Sequence, residues 1–261
     1  MVNVPAKVAD RLSKGVVRFQ KVLTAAKDRD VGESDTVTIV TDMLSSIFGF
    51  DRYEEITSEQ AIRGTFCDLA VCVEGKCQYL IEVKAIGLSL KEGHLRQAVN
   101  YGAGHGIPWV VLTNGIQWDI HRIRFEQPVT SEHVTSINFL ELVARRAADD
   151  LFLLCREGIQ KDAMEAYHEH RQAVNRYVVA ALLATDDVLA VVRREIRRLS
   201  PETKVTVEEL RELLPDVVKR DAIEGSQAEQ AQKRIRRAAG RALRKTDGGS
   251  LPPAAAPTTA Q

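Results

Sequence analysis

Arg63-Gly64-Thr65-Phe66-Cys67-Asp68-Leu69-Ala70-Val71-Cys72-Val73-Glu74-Gly75-Lys76-Cys77-Gln78-Tyr79-Leu80-Ile81-Glu82-Val83-Lys84 is the stretch on which the fold depends. Phe66 to Val73 and Gln78 to Val83 are rich in strand formers, and Glu74-Gly75-Lys76 between them is a short glycine-bearing loop. The segment therefore reads as a β-hairpin. Strand side chains alternate between faces, which puts Gln78, Leu80, Glu82 and Lys84 on one side and Tyr79, Ile81 and Val83 on the other. With a three-residue turn, Val73 pairs with Cys77 and Asp68 falls opposite Glu82. Two carboxylates side by side repel unless a cation lies between them, so this patch is a candidate site for a hard, oxygen-preferring ion such as Mg²⁺. The competing reading is an edge hairpin whose charges face water.

Working outward, the 261 residues can hold one large or two modest domains. Apolar content of 44% and charged content of 28% fit an ordinary globular protein. The formal net charge is zero, so any contact with nucleic acid has to rest on local basic patches. The N-terminal residues lack the apolar core of a signal peptide, and no apolar run is long enough to span a membrane. The expected location is cytoplasmic, with no membrane partner. Cys67, Cys72 and Cys77 recur at spacings of five, which suits no zinc motif; with Cys155 they read as small apolar side chains in a reducing compartment.

Apolar spacing predicts helices over residues 4–27 and 33–48, a short strand at 53–56, and a helix over 91–102. Strands follow at 109–113 and 116–123, joined by a two-residue turn at Asn114-Gly115. Helix, strands, helix, strands is the order of an α/β fold, with a mixed central sheet flanked by helices. The expected organisation is an α/β domain with an N-terminal helix over 1–126, a linker over 127–136, an all-α C-terminal region over 137–245 and a disordered tail over 246–261. Thr206 to Glu209 is a capping box. The basic run 233–245 is either a solvated helix face or an electrostatic contact to nucleic acid.

Three further residues stand out. Glu33 lies on the buried stripe of Val37, Val40, Leu44 and Ile47. It is either a first-turn acid favoured by the helix dipole or a group reaching toward the hairpin. Gln97 and Tyr101 share one face of the helix after the hairpin, together with His94. Arg63 is read as a surface residue, with a phosphate contact as its alternative.

Asp68, Glu82-Val83-Lys84 and Gln97-Ala98-Val99-Asn100-Tyr101, in that order, resemble the PD-(D/E)XK nuclease superfamily. The Gln-x-x-x-Tyr element is similar to its RecB-like branch and to the N-terminal nuclease domain of type I restriction enzyme R subunits. The likeness extends to Glu33, to Gly49-Phe50-Asp51 and to Leu112-Thr113-Asn114-Gly115-Ile116-Gln117-Trp118, so it covers about residues 30 to 125. Cys67 stands where the superfamily name puts proline, a departure the R-subunit branch often shares.

The resemblance implies a restriction-endonuclease-like core and Mg²⁺-dependent hydrolysis of DNA phosphodiesters, with RNA as the other candidate substrate. Asp68, Glu82 and the carbonyl of Val83 would hold the metal, and Lys84 would orient the attacking water or stabilise the developing charge. Glu33 would complete the shell, and Gln97 and Tyr101 would contact the phosphate backbone or the water. An R subunit also carries an ATP-driven motor. No phosphate loop occurs in this sequence, so no ATPase is expected from this polypeptide. Expected partners are DNA, other restriction or defence subunits, and a second copy joined through the C-terminal helices. The alternative reading is a non-catalytic nucleic-acid-binding or scaffold protein that retains the nuclease fold.

Overall fold

The computed structural model of the chain describes residues 3–58 and 67–247. Its hairpin closes on two residues rather than three. Val73 pairs with Lys76 and Cys72 with Cys77. Glu74 and Gly75 between them have φ of 54° and 76°, the two left-handed conformations that a type I′ turn needs. The register then shifts between Val71 and Cys72, where Gln78 is the extra residue, and the ladder resumes as Val71–Tyr79, Ala70–Leu80 and Leu69–Ile81. That is the register a three-residue turn predicts. A one-residue slip sends every side chain to the wrong face, so the bulge at Gln78 restores what the shorter turn displaces. Cys72 and Cys77, directly opposed, are joined by a disulfide. This corrects the expectation of free thiols: antiparallel pairing brings opposed side chains close together, whatever their spacing in sequence.

Six strands form one mixed sheet in chain order: β1 (Ile56–Ser58), β2 (Leu69–Val73), β3 (Lys76–Val83), β4 (Trp109–Thr113), β5 (Gln117–Arg124) and β6 (Thr130–Asn138). Among the described residues, only β3 and β4 are parallel. They are joined by a crossover containing a 3-10 turn at Glu92–Leu95 and helix α3 (Arg96–His105). One face of the sheet, bearing Val71, Tyr79, Ile81, Val83 and Trp118, is covered by α1 (Ala6–Asp28) and α2 (Glu33–Ser46). Leu12, Val16, Phe19 and Leu23 recur at helical spacing on α1 and are fully or almost fully buried. Each contributes on the order of 1.5–3 kcal/mol of burial. The other face, with Ala70, Leu80, Val110, Leu112 and Ile123, takes Leu95, Ala98 and Val99 of the crossover. Here α3 lies close at Gly102, where an added Cβ would stand 2.5 Å from Ile123 Cδ1 and 3.1 Å from the Ile107 carbonyl oxygen.

Beyond β5 the expected boundaries are corrected. Most of the predicted linker 127–136 is β6, paired with β5 along its length. Its polar residues lie on an edge strand that buries only Val134 and Ile137, so the period-two signal is diluted to the look of a linker. Residues 144–168 also belong to the sheet's unit rather than to a separate helical region. Short helices α4 (Ala147–Leu151) and α5 (Arg156–Ile159) bring Leu151, Leu153 and Leu154 into the larger core. The Tyr79 hydroxyl donates to the Leu154 carbonyl at 3.1 Å. Arg11 donates to both carboxylate oxygens of Glu157 at 2.8 and 2.7 Å, and Arg156 to Glu55 at 2.7 Å.

The chain divides into units of residues 1–168 and 169–261, with α6 (Ala163–Ala173) crossing the division. The described residues of the second unit form helices and no strands: α7 (Arg176–Leu183), α8 (Asp186–Leu199), α9 (Val207–Val217), α10 (Arg220–Ile223) and α11 (Ser226–Asp247). Asn175 caps α7 by accepting from the amides of Tyr177 and Val178, and the predicted Thr206–Glu209 capping box opens α9. Arg63 and residues 248–261 of the expected tail lie outside the described residues, whereas Thr246 and Asp247 end α11. Among the described residues, no helix is long and apolar enough to cross a membrane.

Candidate functional site

Continuing the β2–β3 register one step past Leu69–Ile81 sets Asp68 against Glu82. Asp68 is held there by its neighbour's backbone: Oδ2 accepts the Val83 N–H at 2.6 Å. The alternation predicted for β3 puts Glu82 on the side of Leu80, and Glu82 is only 7% exposed. Its Oε1 lies 2.7 Å from Lys84 Nζ. Its Oε2 is buried with no hydrogen-bond partner. Lys84 also reaches Glu33 Oε2, at 3.4 Å, from the first turn of α2. Glu33 is half exposed, so both sequence readings of it hold: it is a first-turn acid, and it points to the hairpin. Asp68, Glu82, Lys84 and Glu33 are thus brought together as three carboxylates around one ammonium.

The electrostatics follow from that imbalance. Burial pushes the Glu82 carboxyl above the usual carboxylate range. The Lys84 hydrogen bond opposes this, and the charges of Asp68 and Glu33 add to the rise. Burial would lower the Lys84 ammonium, but the hydrogen bond to Glu82 and the charges of Glu82, Asp68 and Glu33 overcome it and hold the group above its ordinary value.

Gln97 and Tyr101 are placed differently. The sheet-facing side of α3 is formed by Ala98, Val99 and Gly102. Gln97 is exposed. Tyr101 is half-buried and stacks on His105 with ring centroids 3.9 Å apart. Among the described residues, no hydrogen bond or ion pair joins either side chain to the carboxylates. His94 accepts the Lys91 amide at 3.3 Å and serves as a local cap of the 3-10 turn. A groove of about 230 Å³ lined by Gln78, Trp109 and Met164 lies at the opposite end of β3 and contains none of these residues.

Two residues of the site's scaffold were read in the sequence only as a strand end and a turn within the family likeness. The Thr113 carbonyl accepts the Lys84 amide at 2.8 Å. Asn114 is buried between the β4–β5 loop and the segment after Lys84. Asn114-Gly115 was a turn signal, and nothing in it pointed to the second role.

The donor set can be tested against a divalent cation. Among the described residues, no group of three His, Cys, Asp or Glu side chains is placed to hold a metal. What the site offers is the Asp68 and Glu82 carboxylates, with one buried oxygen, Glu82 Oε2, that the described residues leave unmatched. This fits Mg²⁺, which keeps several waters and takes one or two protein carboxylates plus substrate oxygens.

Residues 50–140 match the family described as the type I restriction enzyme R protein N terminus (HSDR_N). The matched segment spans the whole sheet and includes Asp68, Glu82, Lys84, Gln97 and Tyr101; Glu33 precedes it. This segment is therefore similar to that N-terminal domain, in line with the resemblance in the sequence. No curated protein and no solved structure gives a significant match.

Proposed function

We propose that the chain is a Mg²⁺-dependent nuclease of restriction or defence type that hydrolyses DNA phosphodiester bonds at Asp68, Glu82 and Lys84. The observation that carries this reading is the buried, unmatched Glu82 Oε2 beside Asp68 and Lys84, inside a segment similar to the R protein N terminus. Asp68 and Glu82, with the Val83 carbonyl, are the residues that would hold the cation. Bound there, Mg²⁺ supplies a Lewis acid that neutralises charge on the scissile phosphate and lowers the pKa of a coordinated water. The Val83 amide orients Asp68. Lys84 holds a proton at Nζ, from which it can direct the attacking water or meet the charge that develops on the phosphoryl oxygens. Glu33 steadies Lys84. Gln97 and Tyr101 take the DNA backbone rather than the cation, in keeping with their position on α3.

A second reading, DNA binding without cleavage, draws support from the exposure of Gln97 and the stacking of Tyr101 on His105, away from the carboxylates' own contacts. One experiment separates the two: cleavage of plasmid and linear DNA with and without Mg²⁺ or Mn²⁺, by the wild type and by Glu82→Ala and Lys84→Ala. The nuclease reading expects metal-dependent cleavage that both substitutions abolish. Binding without cleavage by all three proteins, under every metal condition, would select the second reading.

A further inference from the structure

We infer that Asn114 is a positioning residue for Lys84, acting through the loop that follows it; the inference rests on the proposed role of Lys84 in phosphodiester hydrolysis. Asn114 is 9% exposed, and its side chain spends its full hydrogen-bonding capacity. Its Oδ1 accepts the amides of Ile116 at 3.1 Å and Gln117 at 2.7 Å, which closes the β4–β5 turn. Its Nδ2 donates to the carbonyls of Ile86 at 3.2 Å and Leu88 at 3.0 Å. With the Thr113 carbonyl on the Lys84 amide at 2.8 Å, residues 113 and 114 grip the backbone at 84, 86 and 88 in succession. This continues the parallel β3–β4 ladder past its last pair, Val83–Thr113, into a segment with no strand structure of its own.

The loop is confined from another side as well. A Cβ on Gly87 would stand 2.5 Å from Asp30 Oδ1, so an added side chain there has to displace the Asp30 carboxylate. Asp30 itself has φ of 48°. The segment after Lys84 is therefore held by Asn114 and abutted by Asp30. A lysine whose backbone is fixed on both sides loses less freedom when its ammonium is held at Glu82. Fixed geometry of this kind is worth large factors in rate, and a displacement of about 1 Å can cost about a hundredfold.

The test uses Asn114→Ser, Gly87→Ala and the double variant Gly87→Ala/Asp30→Gly. A serine hydroxyl can still accept from the turn amides but is too short to reach the Ile86 and Leu88 carbonyls. The expected result is a fall in kcat of about tenfold or more with KM changed by less than about twofold. A crystal structure of the variant should show residues 85–88 shifted and Lys84 Nζ moved away from Glu82. Gly87→Ala disturbs the loop from the Asp30 side and should lower kcat likewise. Removing the Asp30 side chain in the double variant, at a backbone conformation glycine accepts, should restore it. A purely structural Asn114 would lower the melting temperature and leave the folded enzyme's kcat and the Lys84 position unchanged, which overturns the inference. If the wild type cleaves nothing under any metal condition, the proposed function fails. The Lys84–Glu82 distance in the Asn114→Ser crystal then still decides whether Asn114 positions Lys84.

Discussion

Glu82 Oε1 lies 2.7 Å from Lys84 Nζ while Glu82 Oε2 is buried without a partner, so this pair is half of an interaction rather than a completed one. Lys84 is the counter-charge nearest a carboxylate that burial already holds above its usual range. Replacing it by an apolar residue leaves that carboxylate uncompensated. Lys84→Met should destabilise the protein by about 3 kcal/mol at pH 7, the low end for breaking a buried pair. The sign of the pH dependence follows from the raised Glu82 value. Its contribution favours the fold below the unfolded value and is lost as pH rises through the folded one. The variant's deficit should therefore shrink toward pH 4, where Glu82 takes up a proton. Urea unfolding at pH 7 and pH 4 measures both.

The hairpin turn is a second point of test. Glu74 has φ of 54°, a left-handed conformation that costs a side-chain-bearing residue about 1–2 kcal/mol. Glu74→Asn, at a position where type I′ turns favour asparagine, should raise stability by roughly 0.5–1 kcal/mol. Gly75→Val, at φ of 76°, should lower it by about 1–2 kcal/mol. Thermal unfolding of the two variants checks both signs.

Acid should act on the protein through His121. This ring is 4% exposed and packs at 5.1 Å from His133 on the next strand. Burial, then the His133 charge, lower its pKa to about 4, against the pull of Asp119. A depressed value contributes stability that is complete above the unfolded value of about 6.5 and is lost as pH falls toward about 4. The loss amounts to roughly 3 kcal/mol at 1.36 kcal/mol per pH unit. An NMR titration should show the His121 ring neutral at pH 5.5, and His121→Leu should flatten the stability curve between pH 6.5 and 4. A His121 midpoint near 6.5 would contradict this.

Thiol chemistry follows from burial and from the Cys72–Cys77 bond. Burial pushes the Cys155 thiol up to about 12, and Cys67 is also buried. The native protein should therefore resist alkylation at pH 8 under non-reducing conditions. After unfolding without reductant, Cys67 and Cys155 should be modified while Cys72 and Cys77 remain bonded, as read by mass spectrometry of the alkylated chain. Four modified cysteines would show the pair to be reduced.

The opposition of Asp68 and Glu82 was legible in the sequence, although by a route that missed a compensation. A three-residue turn gives the same register as the two-residue turn followed by a bulge at Gln78, because each adds one residue to the same strand. The reach of Glu33 to the hairpin was legible because an acid on an apolar stripe has few places to go. Helical spacing put Gln97 and Tyr101 on one face, but spacing alone cannot say whether that face meets the carboxylates. In the structure, Ala98, Val99 and Gly102 meet the sheet, Tyr101 packs against the same apolar cluster, and Gln97 is exposed. Strand β6 was hidden by the polarity of an edge. Residues 144–168 were hidden because their helices are too short to show a period, and their attachment rests on the long-range pairs of Arg11 with Glu157 and Arg156 with Glu55. The second job of Asn114, which lies inside a recognisable turn signal, was masked by that signal.

The central claim is that Asp68 and Glu82 hold a divalent cation. The most direct measurement is anomalous diffraction from crystals of the wild type and of Glu82→Gln soaked in Mn²⁺, an ion with the same oxygen-ligand preference as Mg²⁺. The account predicts a manganese peak between Asp68 and Glu82 Oε2 in the wild type and none in the variant. Ordered Asp68 and Glu82 side chains with no peak between them, or a peak unaffected by Glu82→Gln, would contradict it.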